Sequence, residues 1–140
     1  MKWSLVLASV VGGLACSSTS QQSPQHAARP TVTCTSSEDC AAAVSRDPAD
    51  PNLRVKWALT LEEAGKAAMA AREFRAAIRL ATDDDDPIED AASGLMRLGD
   101  PAGCVAELDA QLASATRAPA LASALRRARE RCAKAAERAY

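Results

Sequence analysis

Four Asp-Pro pairs interrupt a helical pattern that begins near Cys34, and they limit how long any helix in this chain can be. Asp is a good helix N-cap and Pro suits the first helical position, so each pair can open a helix or the turn that leads into one. Gly65 and Gly99 stand where helices should end. The four pairs are Asp47-Pro48, Asp50-Pro51, Asp86-Pro87 and Asp100-Pro101. The predicted helices cover residues of about 37–46, 51–64, 67–82, 87–98, 101–115 and 119–138.

Composition favours an all-α fold. Aromatic residues make up 3% of the 140-residue chain and alanine is its most frequent residue. Helices can therefore pack closely, whereas strands would lack the side chains that sandwiches and barrels need. The formal net charge of −1 excludes a polyanion binder driven by bulk charge, so nucleic acid is not an expected partner.

Residues 34 positions apart match in size across two consecutive helical hairpins. The matched pairs are Gly65 and Gly99, Ala70 and Cys104, Phe74 and Leu108, Ala58 and Ala92, and Leu61 and Leu95. A helix, a glycine turn and a second helix therefore recur. This spacing resembles the tetratricopeptide repeat, which implies antiparallel helical hairpins stacked side by side. A generic bundle of alanine-rich helices is the alternative.

The resemblance is stronger in the first unit, about 51–84, than in the second, about 85–118. The first unit follows the family's order of large, small, glycine and aromatic positions with Trp57, Ala58, Leu61, Gly65, Ala70, Phe74, Ala77 and Leu80. In the second unit, Gln111 and Ser114 replace the later Ala and Leu. Two units bury too little surface on their own, so we expect the helix at 119–138 to act as a C-terminal cap.

The last predicted helix has one apolar and one basic face. The apolar stripe consists of Leu121, Ala124, Leu125, Ala128, Cys132, Ala135, Ala136 and Ala139. The basic face, which we expect to lie in water, carries Arg126, Arg127, Arg129, Arg131, Lys134 and Arg138. Residues 83–109 are correspondingly acidic, with nine acids against Arg97. Local surface charge explains this asymmetry, and contact of the basic face with anionic lipid is the weaker alternative.

The N-terminal residues have the layout of a secretory signal. Lys2 precedes an uncharged apolar run from Trp3 to Val11, which is too short to span a bilayer, and small residues follow before Cys16. The segment Gly13-Leu14-Ala15-Cys16 resembles the lipobox of bacterial lipoproteins, although Leu stands one position later than usual. That resemblance implies cleavage before Cys16, lipidation of Cys16, and anchoring in the outer membrane, since Ser17 follows. An ordinary secretory signal is the alternative.

Cysteine counting agrees with export. Five cysteines leave one unpaired, and lipidation of Cys16 would leave an even set of four in an oxidising compartment. The even set is Cys34, Cys40, Cys104 and Cys132. In neighbouring antiparallel helices Cys104 and Cys132 come to the same height, so we predict the pairs Cys104–Cys132 and Cys34–Cys40.

These signals divide the chain into three segments. We predict a signal peptide at 1–15, the lipidated cysteine and a Ser-, Thr-, Gln- and Pro-rich tether at 16–33, and an α-helical domain at 34–140. The chain's single histidine, His26, lies in the tether. The domain therefore offers no Ser-His-Asp or Cys-His arrangement, and we predict a protein that is not an enzyme.

Neither a metal nor a cofactor is predicted. The run Asp83-Asp84-Asp85-Asp86 offers hard ligands for calcium, but consecutive residues do not converge as those of a calcium loop do, and a solvated turn between units is favoured. The cysteine spacing does not fit zinc.

The predicted function is a lipid-anchored interaction module of the bacterial cell envelope that binds a protein or peptide. The tetratricopeptide resemblance implies that the first helix of each unit lines a binding groove. This places in the groove Asn52, Val55, Leu59, Glu62, Glu63, Glu89, Ser93, Met96 and Arg97. The set leans acidic, so a partner with basic character is expected. The alternatives are a structural envelope lipoprotein without a ligand and a secreted, disulfide-stabilised helical protein.

Overall fold

The computed structural model describes residues 33–114 and 118–139, and six helices account for most of them. No strand occurs within these residues, so the predicted all-α class is confirmed. The helices are α1 (Ser37–Arg46), α2 (Pro51–Glu63), α3 (Ala67–Leu80), α4 (Asp86–Arg97), α5 (Pro101–Leu112) and α6 (Pro119–Arg138). The predicted signal peptide and nearly all of the tether lie outside the described residues.

Two of the Asp-Pro pairs cap helices as predicted. The Asp50 side chain accepts hydrogen bonds from the backbone N–H groups of Asn52 and Leu53, and Asp100 accepts one from Gly103. Asp86 differs, because α4 begins at Asp86 itself and Asp85 occupies the N-cap position without a side-chain bond to the helix. The neighbouring aspartates explain the shift, since the Asp86 N–H already bonds to the Asp84 carboxylate.

Both predicted glycine turns end a helix in the same way. Gly65 and Gly99 have φ values of 71° and 74°, a region that favours glycine. At each glycine the backbone forms the two hydrogen bonds of a Schellman turn. In the first unit the N–H of Gly65 donates to the carbonyl oxygen of Glu62, and the N–H of Lys66 donates to that of Leu61. The second unit repeats them 34 residues later, from Gly99 to Met96 and from Asp100 to Leu95.

The helices pack as antiparallel hairpins in a tetratricopeptide-like order. Helices α2 and α3 form the first hairpin and α4 and α5 the second, and α4 also contacts α2 and α3. Helix α6 packs against α4 and α5 as a C-terminal cap, while α1 packs on α2. The matched pairs of the repeat lie in one core and are at most 1% exposed: Ala58 and Ala92, Leu61 and Leu95, Ala70 and Cys104, and Phe74 and Leu108.

The α6 stripe is confirmed over most of its length. Leu121, Ala124, Leu125, Ala128 and Cys132 are buried, whereas Ala139 is exposed. Among the described residues no helix has the combined length and apolarity needed to cross a bilayer.

Both predicted disulfides are present. Cys104 and Cys132 join α5 to α6 with their Cα atoms 6.0 Å apart, and Cys34 is bonded to Cys40 in the first turn of α1. Both cysteines of the longer bridge are fully buried. The bridge therefore fastens the cap to the second unit inside the core.

Gly94 lies in the middle of α4 because the Phe74 ring lies directly against its backbone. A Cβ atom at Gly94 would overlap three carbons of that ring. We therefore expect Gly94→Ala to lower the free energy of unfolding by about 1–2 kcal/mol, since overpacking outweighs the gain of about 1 kcal/mol in helix propensity. Urea unfolding followed by circular dichroism would measure the change.

Ser93→Ala is the matched control, because Ser93 is the preceding residue of α4 and is only half-buried. We expect it to be nearly neutral. Adding Phe74→Leu to Gly94→Ala should recover part of the stability by making room for the methyl group. A stabilised Gly94→Ala variant would contradict this account of the packing.

Candidate functional site

The predicted groove residues lie on α2 and α4, the first helices of the two units, and we call their accessible surface the first-helix face. Its members are Asn52, Leu59, Glu62, Glu63, Glu89, Ser93, Met96 and Arg97, all of them exposed or half-buried. Val55 was predicted to belong to this set, and that prediction is wrong. Val55 is 5% exposed and packs into the core beside Ala58, three residues further along the same side of α2.

An ion pair crosses the first-helix face from α2 to α4. The Arg97 guanidinium donates to both Glu62 carboxylate oxygens, with Nε 3.0 Å from Oε1 and Nη2 2.9 Å from Oε2. This bond to Glu62 raises the pKa of Arg97 above its usual value, helped by the nearby charge of Asp90. The Glu62 carboxylate is therefore already paired with a cation within the protein.

A second group of ion pairs joins α4 to α6. Glu89 pairs with Arg131 and, at 3.7 Å, with Arg127. Arg127 also donates to Asp85 at 3.1 Å. The first-helix face thus continues onto α6, which supplies arginines that the sequence prediction did not place there.

A further pair attaches the opposite side of α6 to α5. Arg129 donates to both carboxylate oxygens of Asp109, at 2.6 and 3.2 Å. This hydrogen bond holds the pKa of Asp109 below its usual value.

The charge asymmetry of the sequence is therefore largely internal. Three of the six basic residues predicted to lie in water on α6 are paired with acids of the 83–109 segment, although their side chains stay 44–56% exposed. They are Arg127, Arg129 and Arg131. The sequence did contain a signal for this pairing, since residues 83–109 are acidic and the last helix is rich in arginine.

The remaining accessible groups of the first-helix face lie mainly on α2. Leu59 is 39% exposed, which is unusual for so large an apolar side chain in this fold. Asn52 and Glu63 are exposed on the same helix, about two turns before and one turn after Leu59 respectively. On α4, the Ser93 hydroxyl donates to the Glu89 carbonyl oxygen, and Met96 packs partly against the core.

The aspartate run forms a turn between the two units. Side-chain oxygens of Asp84, Asp85 and Asp86 lie within 4.8 Å of one another. However, Asp84 accepts the backbone N–H of Asp86, and Asp85 accepts a hydrogen bond from Arg127. These partners account for the cluster as a turn that also holds α6.

A small cleft lies between the start of α5 and the end of α6. It has a volume of about 240 Å³ and is lined by Gly99, Asp100, Pro101, Ala102, Ala136 and Ala139. Its lining carboxylate, Asp100, is bonded to Arg75 and to the N–H of Gly103. Among the described residues that line the cleft there is no second titratable group that could work with Asp100 in acid–base chemistry.

No protein-family description, curated protein or solved structure matches this chain.

Proposed function

We propose that this protein is a bacterial envelope lipoprotein, anchored by lipid on Cys16, whose helical domain is a non-enzymatic interaction module. The pairing of cysteines carries the anchoring part of the proposal. The two disulfides use Cys34, Cys40, Cys104 and Cys132, so the cysteine of the lipobox-like segment is the one left over from the five. Disulfides are also typical of exported proteins.

The first-helix face carries the binding part of the proposal. It combines an exposed apolar side chain, Leu59, with the exposed carboxylate of Glu63 four residues later. Side chains four positions apart on a helix lie on the same side, so both can touch one ligand. Glu62 and Glu89 contribute less than the sequence indicated, because they are paired with arginines of α4 and α6 respectively. The preferred partner is a protein segment with an apolar residue and a neighbouring cation.

Replacing Leu59 by Asp and Glu63 by Ala should weaken binding of that partner about tenfold or more, since an apolar anchor contributes more than about 1 kcal/mol. The measurement is a pull-down from solubilised envelopes, followed by titration of the recovered partner. Glu62 and Glu89 are left unchanged, because their loss would also break ion pairs between helices.

Glu130→Ala with Glu137→Ala is the matched control, since both residues are exposed on α6. Partner recovery should be unaffected in this control. An unchanged partner list for the Leu59 and Glu63 variant would count against the first-helix face. It would favour the second candidate, a structural lipoprotein whose domain spaces or coats the membrane without a ligand.

A further inference from the structure

Helix α3 has a narrow stripe on which no further helix stacks within the described residues, although Arg54 of α2 reaches its second member, Glu73. Met69, Glu73, Ala76 and Leu80 fall at i, i+4, i+7 and i+11, on one side of the helix. Met69 is 40% exposed, and Ala76 and Leu80 are half-buried. We call these four residues the α3 flank.

The opposite side of α3 is covered by the second unit. There, Arg79 donates to Glu107 of α5 at 2.8 Å, and Arg75 bonds to Asp100, which caps α5. Gly103 of α5 lies close to the Arg75 guanidinium, where a Cβ atom would lie 2.7 Å from Nη2. Helix α3 therefore stacks on the side of α5 that carries Gly103 and Glu107.

The α3 flank is the equivalent surface of the first unit. Gly103 and Glu107 stand 34 residues after Met69 and Glu73, which is the repeat length of the two units. On α5, the surface that carries Gly103 and Glu107 is covered by α3. The equivalent surface of α3 could be covered by the preceding helix, α1, but α1 packs on α2 and makes no contact with α3. The α3 flank is thus the side of the first unit on which, among the described residues, no helix stacks as α3 stacks on α5.

The charge of the α3 flank differs from that of its counterpart. Glu107 forms an ion pair with Arg79 of the neighbouring helix α3. Glu73 is 2% exposed and is already satisfied by its own unit, with Arg54 at 2.6 Å and Arg72 at 3.0 Å. The Arg72 side chain remains 63% exposed, and Lys66 is exposed at the start of α3. The accessible charge beside Met69 and Glu73, at the N-terminal part of the stripe, is therefore positive.

We propose that the α3 flank is a second docking surface, separate from the first-helix face, and that its occupant is an acidic amphipathic helix of another protein. Such a helix would place a narrow apolar stripe over Met69, Ala76 and Leu80 and its carboxylates near Arg72 and Lys66. A basic helix, like α3 itself, would meet these cations instead. Charge complementarity therefore selects an acidic partner.

The test uses the full-length chain and two synthetic helical peptides. Both carry Leu at i, i+4, i+7 and i+11, and the flanking positions are Glu in one peptide and Lys in the other. Fluorescence anisotropy should show the Glu peptide binding at least tenfold more tightly than the Lys peptide. Arg72→Glu and, separately, Met69→Asp should each weaken the Glu peptide about tenfold, whereas Arg126→Glu, an exposed arginine of α6, should not.

Two further measurements keep the result specific to this surface. Circular dichroism should show that each variant is folded, and Arg72→Lys should retain binding. Amide NMR shifts caused by the Glu peptide should centre on α3 and not on α2 and α4. Absence of binding, equal binding of both peptides, or shifts on the first-helix face would overturn the proposal. So would a dimer abolished by Met69→Asp, or binding only after deletion of residues 17–32, since these assign the flank to a second copy or to the chain's own N-terminal segment.

Discussion

Replacing both Cys104 and Cys132 by Ala is expected to lower the free energy of unfolding by about 3–4 kcal/mol. The bridge closes a loop with a sequence separation of 28 residues, and its loss returns conformational freedom to the unfolded chain. A domain of this size has only about 5–15 kcal/mol of stability to lose. Equilibrium urea unfolding of the oxidised wild type and the double variant would measure the difference.

The effect should be largest in α6. This helix is held by its buried stripe, by the bridge, and by ion pairs whose arginines are 44–56% exposed, and exposed pairs stabilise weakly. Backbone amides of α6 should therefore exchange with solvent faster than those of α2 and α3 once the bridge is removed. Uniform acceleration throughout the chain would contradict a local role for the bridge as the fastening of the cap.

The second disulfide supplies the matched control. Cys34 and Cys40 are separated by only 6 residues, and a loop that short contributes about 2 kcal/mol by the same entropy argument. The Cys34→Ala and Cys40→Ala double variant should thus be less destabilised than the Cys104 and Cys132 variant. Equal or reversed losses would show that loop length does not govern the contribution of these bridges.

The helices were predictable because their start and stop signals are local. Asp50, Asp100, Gly65 and Gly99 all act within one turn of where they stand, so their effect does not depend on distant packing. The predicted start of α4 was one residue late because Asp86 lies in a run of aspartates. In such a run several carboxylates can accept a hydrogen bond from the same backbone N–H group. The run alone therefore does not determine which aspartate precedes the helix.

The disulfide between Cys104 and Cys132 was predictable for a different reason. Neighbouring antiparallel helices align residues near the start of one with residues near the end of the next, and α5 and α6 are such a pair. The alignment of Cys104 with Cys132 depends only on the order and the direction of the helices. It does not depend on the angle at which they cross.

For the first-helix face, the charge asymmetry indicates that acids of 83–109 meet arginines of α6, but it does not indicate which individual residues pair. Glu62 meets Arg97 across 35 positions and Glu89 meets Arg131 across 42, so both contacts depend on how one hairpin stacks on the next. No local pattern encodes that angle. The prediction for Val55 was wrong for a different reason. The resemblance to the repeat family placed Val55 in the groove, but its spacing of three residues from the buried Ala58 places it in the core.

The stacking also limits what an accessible charge on this domain means. Glu62 on α2 is paired with Arg97 of α4, and Glu89 on α4 is paired with Arg131 of α6, so both acids join stacked helices and are less available to a ligand. Glu63 on α2 and Arg72 on α3 differ, since Glu63 is exposed and Arg72 keeps 63% of its side chain in solvent. These two residues mark the two proposed docking surfaces, one acidic and one basic.

The proposed anchor gives the largest expected effect of any single substitution. We expect Cys16→Ser to abolish lipidation and to move the protein from the membrane fraction to the soluble periplasmic fraction. Several acyl chains on one residue exceed the two signals that stable anchoring requires, and among the described residues no helix can replace them by spanning the bilayer. Fractionation and intact mass would both report the change, since the variant should lack the mass of the lipid.

The Cys34→Ala and Cys40→Ala variant is also the control for this experiment, because it removes two cysteines but leaves the proposed anchor intact. It should remain in the membrane fraction with the lipid mass unchanged, even if its domain is less stable. The comparison separates anchoring from folding, since Cys16 lies outside both disulfides. Unchanged mass and unchanged fractionation of Cys16→Ser would refute the lipoprotein proposal. A wild type that is already soluble and carries no lipid would instead identify the chain as a secreted protein cleaved by an ordinary signal, and its two proposed docking surfaces would then face the medium and not the envelope.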